Sequence, residues 1–239
     1  MFDALFTTTT EYKKLSHALS GKGACALFGL PASGRAQVYA ALCRQLDKPL
    51  CIVTPGEAEA TRFAADLNTL GIPAAVFPAR DYVLRPIEGT AREYEYRRLA
   101  VLGELVGGRL RAVAVPAEAL TQFTTPKEDF CANTRTLHAG DTLLRDDLLA
   151  ALFGAGYTRR AQVDGPGQFS VRGDIVDIFA PDQKMPVRME FWGDEIDTLH
   201  TFDLTTQRRE DAIDKFSLSP AREVLFGKPA DAAEQLRAF

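Results

Sequence analysis

The sequence predicts an α/β protein in which a parallel-sheet domain is interrupted by an inserted, mainly antiparallel α+β domain. Two observations predict this fold class. Short apolar runs alternate with segments of helical periodicity up to about residue 122. After Pro126, strand signals follow one another closely, with Gly, Pro and Asp turns between them. We therefore expect a first domain over residues 1–127, an inserted domain over 128–205 and a return to the first domain over 206–239.

The first domain is predicted from four apolar runs and three amphipathic segments. The runs are bounded by Gly or Pro, as strands buried on both faces of a parallel sheet usually are. Apolar residues recur every three or four positions between them, which indicates helices and therefore βαβ units. The predicted strands are Ala24–Phe28, Leu50–Val53, Ala74–Phe77 and Ala112–Val115, and the predicted helices are Gly34–Leu46, Glu57–Leu70 and Thr90–Val106.

The inserted domain is predicted as an antiparallel meander with one helix. The helix, Leu143–Phe153, follows a strand at Thr134–His138 and ends at a glycine. Five strands come next without a helix between them, and short turns such as Gly193-Asp194 favour hairpins. These strands are Thr158–Val163, Gln168–Arg172, Ile175–Phe179, Val187–Trp192 and Ile196–Phe202. The remaining chain predicts a strand at Lys215–Ser219 and a helix beginning near Pro229.

Composition excludes several classes of function. The chain has 28 Lys and Arg against 32 Asp and Glu, a formal net charge of −4, so it is not a polycation built for nucleic acid. Its four cysteines form no C-x-x-C pair and its three histidines are scattered, so neither a metal site nor a redox pair is expected. No apolar run reaches the ~18 residues of a membrane span. We expect a soluble, cytoplasmic protein that does not bind a membrane.

A glycine pattern follows the first predicted strand where a phosphate-binding loop would lie. Gly29 and Gly34 have the spacing of the G-x-x-x-x-G-K-[ST] motif, but the Lys and Ser/Thr positions hold Arg35 and Ala36. Alanine cannot ligate Mg²⁺, and a guanidinium does not replace a compact ammonium. The pattern therefore predicts a degenerate, P-loop-like domain without catalysis. The Asp194–Asp197 run, which resembles a helicase acidic box, is interpreted as a hairpin turn.

One predicted strand face carries unusual side chains. Alternation along Val187–Trp192 directs Val187, Met189 and Phe191 to the core and Arg188 and Trp192 to solvent. The same alternation along Gln168–Arg172 exposes Arg172. Exposed Arg and Trp side chains are typical of protein–protein hot spots, so Arg172, Arg188 and Trp192 are candidates for a partner surface. The alternative is that Trp192 covers the sheet edge and the arginines are merely solvated. We expect Arg188→Ala and Trp192→Ala to abolish partner binding with little change in melting temperature.

A long motif string carries a family resemblance. It comprises Tyr157–Val163, Pro166–Phe169, Val171–Phe179, Val187–Ile196 and Phe202-Asp203, with weaker similarity at Pro78–Tyr82, Arg98-Leu99 and Thr206–Arg208. The string resembles a segment shared by bacterial transcription-repair coupling factors and the excision-repair helicase subunit UvrB. The resemblance implies a helicase-type parallel sheet with an inserted domain that binds UvrA.

Two departures from UvrB favour the coupling factors. The phosphate loop is degenerate, and the segment between Tyr82 and Glu93 is too short for the DNA-probing hairpin of UvrB. The resemblance thus implies a non-catalytic UvrB-like module that recruits UvrA in nucleotide excision repair. ATP and Mg²⁺ are expected only for motor domains elsewhere in such proteins, as are the RNA polymerase and double-stranded DNA partners.

The resemblance also assigns the UvrA-binding residues. They fall on Arg172, Arg188 and Trp192, although the family has Phe where this sequence has Trp192. The arginines are expected to meet carboxylates of UvrA and the indole to fill an apolar recess.

Two other functions remain open. One is a nucleotide-binding ATPase or helicase-type domain that acts on DNA and uses Gly29 to Arg35. The other is a DNA-binding module built on an arginine-rich region, namely Arg80, Arg85, Arg92, Arg97 and Arg98. Acidic neighbours weaken the local positive potential there, and a solvated helix face explains the pattern more simply.

Overall fold

The computed structural model describes residues 7–21, 24–46, 48–80 and 92–223, apart from the side chains of residues 32 and 33. The described chain falls into two compact units. Unit 1 is Met1–Arg80 with Gly107–Gln122, and unit 2 is Asp81–Val106 with Phe123–Phe239. No helix in the described ranges has the length and apolar character needed to cross a membrane.

The helices and strands are numbered in chain order. They are α1 (Thr10–Ser20), α2 (Ala32–Gln45), β1 (Leu50–Thr54), α3 (Glu57–Thr69), β2 (Ala74–Val76), α4 (Glu93–Val106), β3 (Ala112–Pro116), α5 (Ala117–Leu120), α6 (Lys127–Ala132), β4 (Arg135–His138), α7 (Arg145–Gly154), β5 (Thr158–Arg159), β6 (Gln168–Arg172), β7 (Ile175–Phe179), β8 (Val187–Trp192), β9 (Glu195–Phe202), β10 (Arg209–Ala212) and β11 (Lys215–Leu218).

Unit 1 contains a parallel sheet of three strands in the order β1-β3-β2. β3 is buried along its whole length because it pairs with β1 on one side and β2 on the other. α3 packs against this sheet through Phe63 and Leu67, and α2 adds alanines to the same core. The βαβ pattern predicted from the apolar runs is confirmed for β1, α3 and β2, whereas the helix that precedes β3 along the chain, α4, belongs to unit 2.

The first apolar run does not join the sheet. Ala24–Phe28 is exposed and forms none of the strand pairings of unit 1, and the Phe28 side chain is 89% exposed. The predicted strand is therefore wrong. β3 takes β1 and β2 as its two neighbours, and Ala24–Phe28 pairs with neither outer edge of this sheet, so the run lacks the backbone partners that would make it a strand. The three-stranded sheet is parallel, but the predicted helicase-type P-loop sheet is not confirmed.

Unit 2 contains a six-stranded sheet in the order β10-β9-β8-β7-β6-β5. Its pairings are antiparallel except β5 with β6. One face buries Phe169, Val176 and Met189 against Leu148 and Leu152 of α7. The antiparallel meander, predicted from closely spaced strand signals, is confirmed for β6, β7, β8 and β9, whereas the predicted strand Thr158–Val163 is reduced to Thr158–Arg159 and pairs parallel with β6.

Two segments that the sequence predicts in the first domain belong to unit 2. The first is β11, which pairs with β4 and places Phe216 and Leu218 in the core of the meander. α4 also belongs to unit 2 rather than to the α/β unit. The helix predicted near Pro229 lies outside the described residues.

Candidate partner-binding site

The register of the large sheet places four polar residues in one row on the face opposite α7. Ser170 of β6 lies opposite Asp177 of β7, Asp177 opposite Arg188 of β8, and Arg188 opposite His200 of β9. Side chains alternate along a strand, so these four point away from the core that contains Val176 and Met189. We call this side of the sheet the outer face.

Asp177 binds two arginines on the outer face. Its carboxylate is completely buried. Arg188 donates from Nε to Oδ1 over 2.7 Å and from Nη2 to Oδ2 over 2.9 Å. Arg172 donates from Nη2 to Oδ2 over 2.7 Å. We call Arg172, Asp177 and Arg188 the arginine–aspartate cluster.

Arg188 is enclosed by its surroundings. It is only 9% exposed, its Nη1 donates to the carbonyl of Gln207 over 3.2 Å, and its Cζ lies 4.8 Å from the ring centroid of Phe202. The hydrogen bonds to Asp177 raise the pKa of Arg188 above its ordinary value. The prediction that Arg188 is exposed is therefore wrong. Strand alternation assigned its face correctly, but alternation cannot reveal that a loop covers that face.

A small apolar cluster explains this cover. Val163, Phe179 and Phe202 are buried on the outer side, with Leu204 packed against them. The adjoining turn is held by Asp203, whose carboxylate accepts hydrogen bonds from the backbone of Thr205 and from the backbone and hydroxyl of Thr206. These bonds lower the pKa of Asp203. The outer face is thus closed at this end.

The rest of the outer face is accessible. The Arg172 side chain is 49% exposed and Trp192 is 82% exposed. Trp192 ends β8 at a two-residue turn, where Gly193 has a φ of +63°. Glu190, which is in register with Arg172 through Ile175 and lies two residues before Trp192, forms an ion pair with Arg209. An exposed indole and a half-exposed guanidinium on one sheet face have the composition of an interface anchor.

Sequence reasoning missed Asp177. The signal was present, because alternation along Ile175–Phe179 buries Val176 and Ile178 and so places Asp177 on the face that carries the arginines. The two arginines lie on the strands that flank β7, with one carboxylate between them. This arrangement predicts an ion-pair network rather than two independent contacts.

The predicted phosphate loop differs from a P-loop in its described geometry. Gly29 has a φ of +78°, and the amide of Gly34 donates to the carbonyl of Pro31 in the first turn of α2. Arg35 lies 3.7 Å from a carboxylate oxygen of Glu59. Gly29 does not follow a sheet strand, so this loop lacks the strand-to-helix geometry that the motif requires.

The arginine-rich region is also dispersed by the fold. Arg98 is completely buried and bound to Glu223, and Arg92 donates to the hydroxyl of Thr158. The Cζ of Arg97 lies 5.7 Å from the ring centroid of Tyr94. Arg80 lies in unit 1, and Arg85 is outside the described residues. A buried guanidinium cannot contact DNA, so Arg98 is removed from the alternative DNA surface.

Within the described ranges, no group of three or more His, Cys, Asp or Glu residues could hold a metal ion. The Asp194–Asp197 run begins in the turn between β8 and β9, as predicted, since Trp192 pairs with Glu195.

Comparison with known proteins identifies the class of the site-bearing unit. Residues 136–224 match the family described as the UvrB interaction domain. These residues include β6, β7, β8 and β9 and therefore the whole arginine–aspartate cluster. This segment is therefore similar to that domain family.

The similarity extends over most of the chain. A transcription-repair-coupling factor from Mycobacterium bovis is 37% identical over 87% of the chain, and one from Myxococcus xanthus is 35% identical over 82%. One from Bacillus subtilis is 28% identical over 88%. The chain spans only 17–18% of the length of these relatives. It is a homologue of the transcription-repair-coupling factors, and the resemblance predicted from its motifs is confirmed.

Proposed function

We propose that this chain is a UvrA-docking module of a transcription-repair coupling factor and that it recruits UvrA in nucleotide excision repair. The observation that carries the proposal is the 82% exposure of Trp192 on a strand whose neighbouring residues are buried. This indole lies within residues 136–224, which match the UvrB interaction domain. A large exposed aromatic side chain on a rigid sheet is a strong candidate for an interface anchor.

The outer face suits an acidic partner with an apolar recess. Trp192 would fill the recess, and Arg172 would donate charge-assisted hydrogen bonds to a carboxylate. Arg188 takes a different role from the one that the sequence predicts, because it is only 9% exposed and three of its N–H donors already bind Asp177 and the carbonyl of Gln207. It supports the surface by holding Asp177 in place.

Binding of UvrA to the 239-residue chain tests the proposal. We expect Trp192→Ala and Arg172→Ala each to weaken binding at least about tenfold, which corresponds to about 1.4 kcal/mol. Phe123→Ala is the matched control, since Phe123 is an exposed aromatic residue of the same unit that lies outside the large sheet. Titration calorimetry measures the three affinities. Equal affinity of wild type, Trp192→Ala and Arg172→Ala would remove the proposed surface.

We also propose that the chain performs no nucleotide chemistry. Arg35 faces Glu59, and Ala36 offers no hydroxyl to a metal. Calorimetry with ATP and Mg²⁺ should detect no saturable binding. Clear binding or turnover would restore the alternative of an ATPase that acts on DNA. By analogy with the longer relatives, contacts with RNA polymerase and double-stranded DNA, and the ATP that drives translocation, would belong to other parts of such a protein.

A further inference from the structure

One carboxylate in the outer face serves two guanidiniums that differ in their exposure. The Arg188 side chain is 11% exposed and bidentate on Asp177, whereas Arg172 is about half exposed and reaches Asp177 through Nη2 alone. Both carboxylate oxygens therefore accept a hydrogen bond from the buried Arg188, and Oδ2 also accepts a single hydrogen bond from the accessible Arg172.

We infer that Asp177 is the positioning residue of the docking surface, and that it orients Arg172 toward a carboxylate of the partner. The inference rests on the proposed function. A guanidinium has five N–H donors in a planar fork, so fixing Nη2 determines where the others point. A partner carboxylate would accept from the donors that Asp177 does not use.

The fixed position of Asp177 makes this orientation effective. Asp177 lies in the middle of β7, paired in register with Ser170 on one side and Arg188 on the other. Ser170 Oγ lies 3.5 Å from Oδ2, and Arg188 holds both carboxylate oxygens. An arginine that is already held loses less rotamer freedom when the partner binds.

The charge of the cluster also selects the partner. Two guanidiniums against one carboxylate leave one unit of positive charge, and the exposed member, Arg172, presents it to solvent. The neighbouring Glu190–Arg209 pair is balanced. The surface therefore favours a partner with a carboxylate at this point, and binding should weaken as salt concentration rises.

A double-mutant cycle on UvrA binding tests the inference. The variants are Arg172→Ala, Asp177→Asn and the double variant, and dissociation rates are measured by surface plasmon resonance. Loss of orientation should appear in the dissociation rate, whereas the extra positive charge of Asp177→Asn acts mainly on the association rate. We expect Asp177→Asn to raise the dissociation rate about fivefold when Arg172 is present and less than about twofold in the Arg172→Ala background.

A second variant keeps the test decisive if Asp177→Asn is too unstable to assay. Asp177→Asn combined with Arg188→Met removes the buried pair together, which proteins often tolerate. We expect this double variant to raise the dissociation rate about fivefold over wild type when Arg172 is present and less than about twofold in the Arg172→Ala background. An increase of about fiftyfold or more over wild type would make Arg188 itself a partner contact and overturn the inference.

The outcome separates this inference from the proposed function. Weak binding by Trp192→Ala and Arg172→Ala supports the docking surface whatever the cycle gives. If Asp177→Asn leaves the dissociation rate unchanged, or raises it equally in both backgrounds, Asp177 does not act through Arg172 and the inference fails alone.

Discussion

Unit 2 contains two buried carboxylates that are bound by arginine in different ways. Glu223 and Arg98 form a pair in which both side chains are completely buried. Asp177 is equally buried, but it binds two arginines, of which Arg172 remains accessible. The first arrangement balances its charge inside the protein, and the second presents surplus charge at the surface. The difference is consistent with a structural role for the Arg98–Glu223 pair and supports the proposed binding role of the arginine–aspartate cluster.

Further hydrogen bonds hold the Arg98–Glu223 pair in place. Arg98 Nε donates to both carboxylate oxygens over 3.0 and 2.9 Å, and Nη2 donates to Oε1 over 2.9 Å. The Glu223 amide donates to Glu95, and the Glu223 carbonyl accepts from Thr125. The pair thus joins α4, the segment between α5 and α6, and the segment after β11 within one unit.

The largest effect on stability is expected at this closed pair. Arg98→Ala leaves Glu223 buried without its cation, so the free energy of unfolding should fall by about 3–5 kcal/mol. Urea denaturation measures the loss. Arg97→Ala, one residue away on the exposed side of α4, is the control and should cost less than about 1 kcal/mol. Equal losses would mean that the burial of Arg98 contributes nothing.

A smaller loss of stability is expected at the arginine–aspartate cluster. Arg188→Ala should lower the free energy of unfolding by about 2–3 kcal/mol, because Asp177 keeps only Arg172 as a cation and the Phe202 ring loses its guanidinium. This replaces the expectation, drawn from the sequence, that the melting temperature would hardly change. Arg172→Ala, measured in parallel by thermal unfolding, should cost less than about 1 kcal/mol. A stable Arg188→Ala variant would argue against the enclosed geometry.

A pH-dependent effect on the free energy of unfolding is expected at Tyr157, a buried residue of unit 2. Tyr157 is buried and its hydroxyl donates to the Ser219 carbonyl over 2.7 Å; burial raises its pKa well above 10.0. The unfolded chain ionises first as pH rises, so this group's contribution is complete below pH 10 and then falls by about 1.4 kcal/mol per pH unit until Tyr157 itself ionises.

Tyr157→Phe isolates that contribution. At about pH 8 the variant should be about 1 kcal/mol less stable than wild type, because one hydrogen bond is lost. At about pH 11 the difference in free energy of unfolding between wild type and variant should narrow or reverse. Only wild type then loses stability by keeping the buried hydroxyl neutral. Urea denaturation at both values checks the sign. A stability difference that widens as pH rises would contradict the raised pKa of Tyr157.

The smallest effect on stability is expected at the accessible end of the outer face. Trp192→Ala should change the free energy of unfolding by less than about 0.5 kcal/mol, since the indole is mostly in solvent. The same change should have one of the largest effects on UvrA binding. Thermal unfolding and calorimetry on one protein sample measure both quantities. A large loss of stability would mean that Trp192 contributes to the stability of the fold.

Local patterns predicted unit 2 well. The turns at Gly173-Asp174 and Gly193-Asp194 and the alternation along β6, β7 and β8 depend on neighbouring residues, so the strands match their predicted bounds closely. The same reasoning failed for Ala24–Phe28, since an apolar run becomes a buried strand only if a sheet edge accepts it. It also failed for Arg188 and Arg98, because a polar residue is exposed only if nothing distant covers it.

The sequence by itself determined the alternation of buried and exposed residues, the hairpin turns and the family resemblance, because each is encoded within a few residues of the chain. Only the tertiary structure decided which charges meet. Asp177 and Arg188, and Arg98 and Glu223, are brought together by strand register and by packing of distant segments. A charge far along the chain has no local signature, so its partner depends on the completed fold.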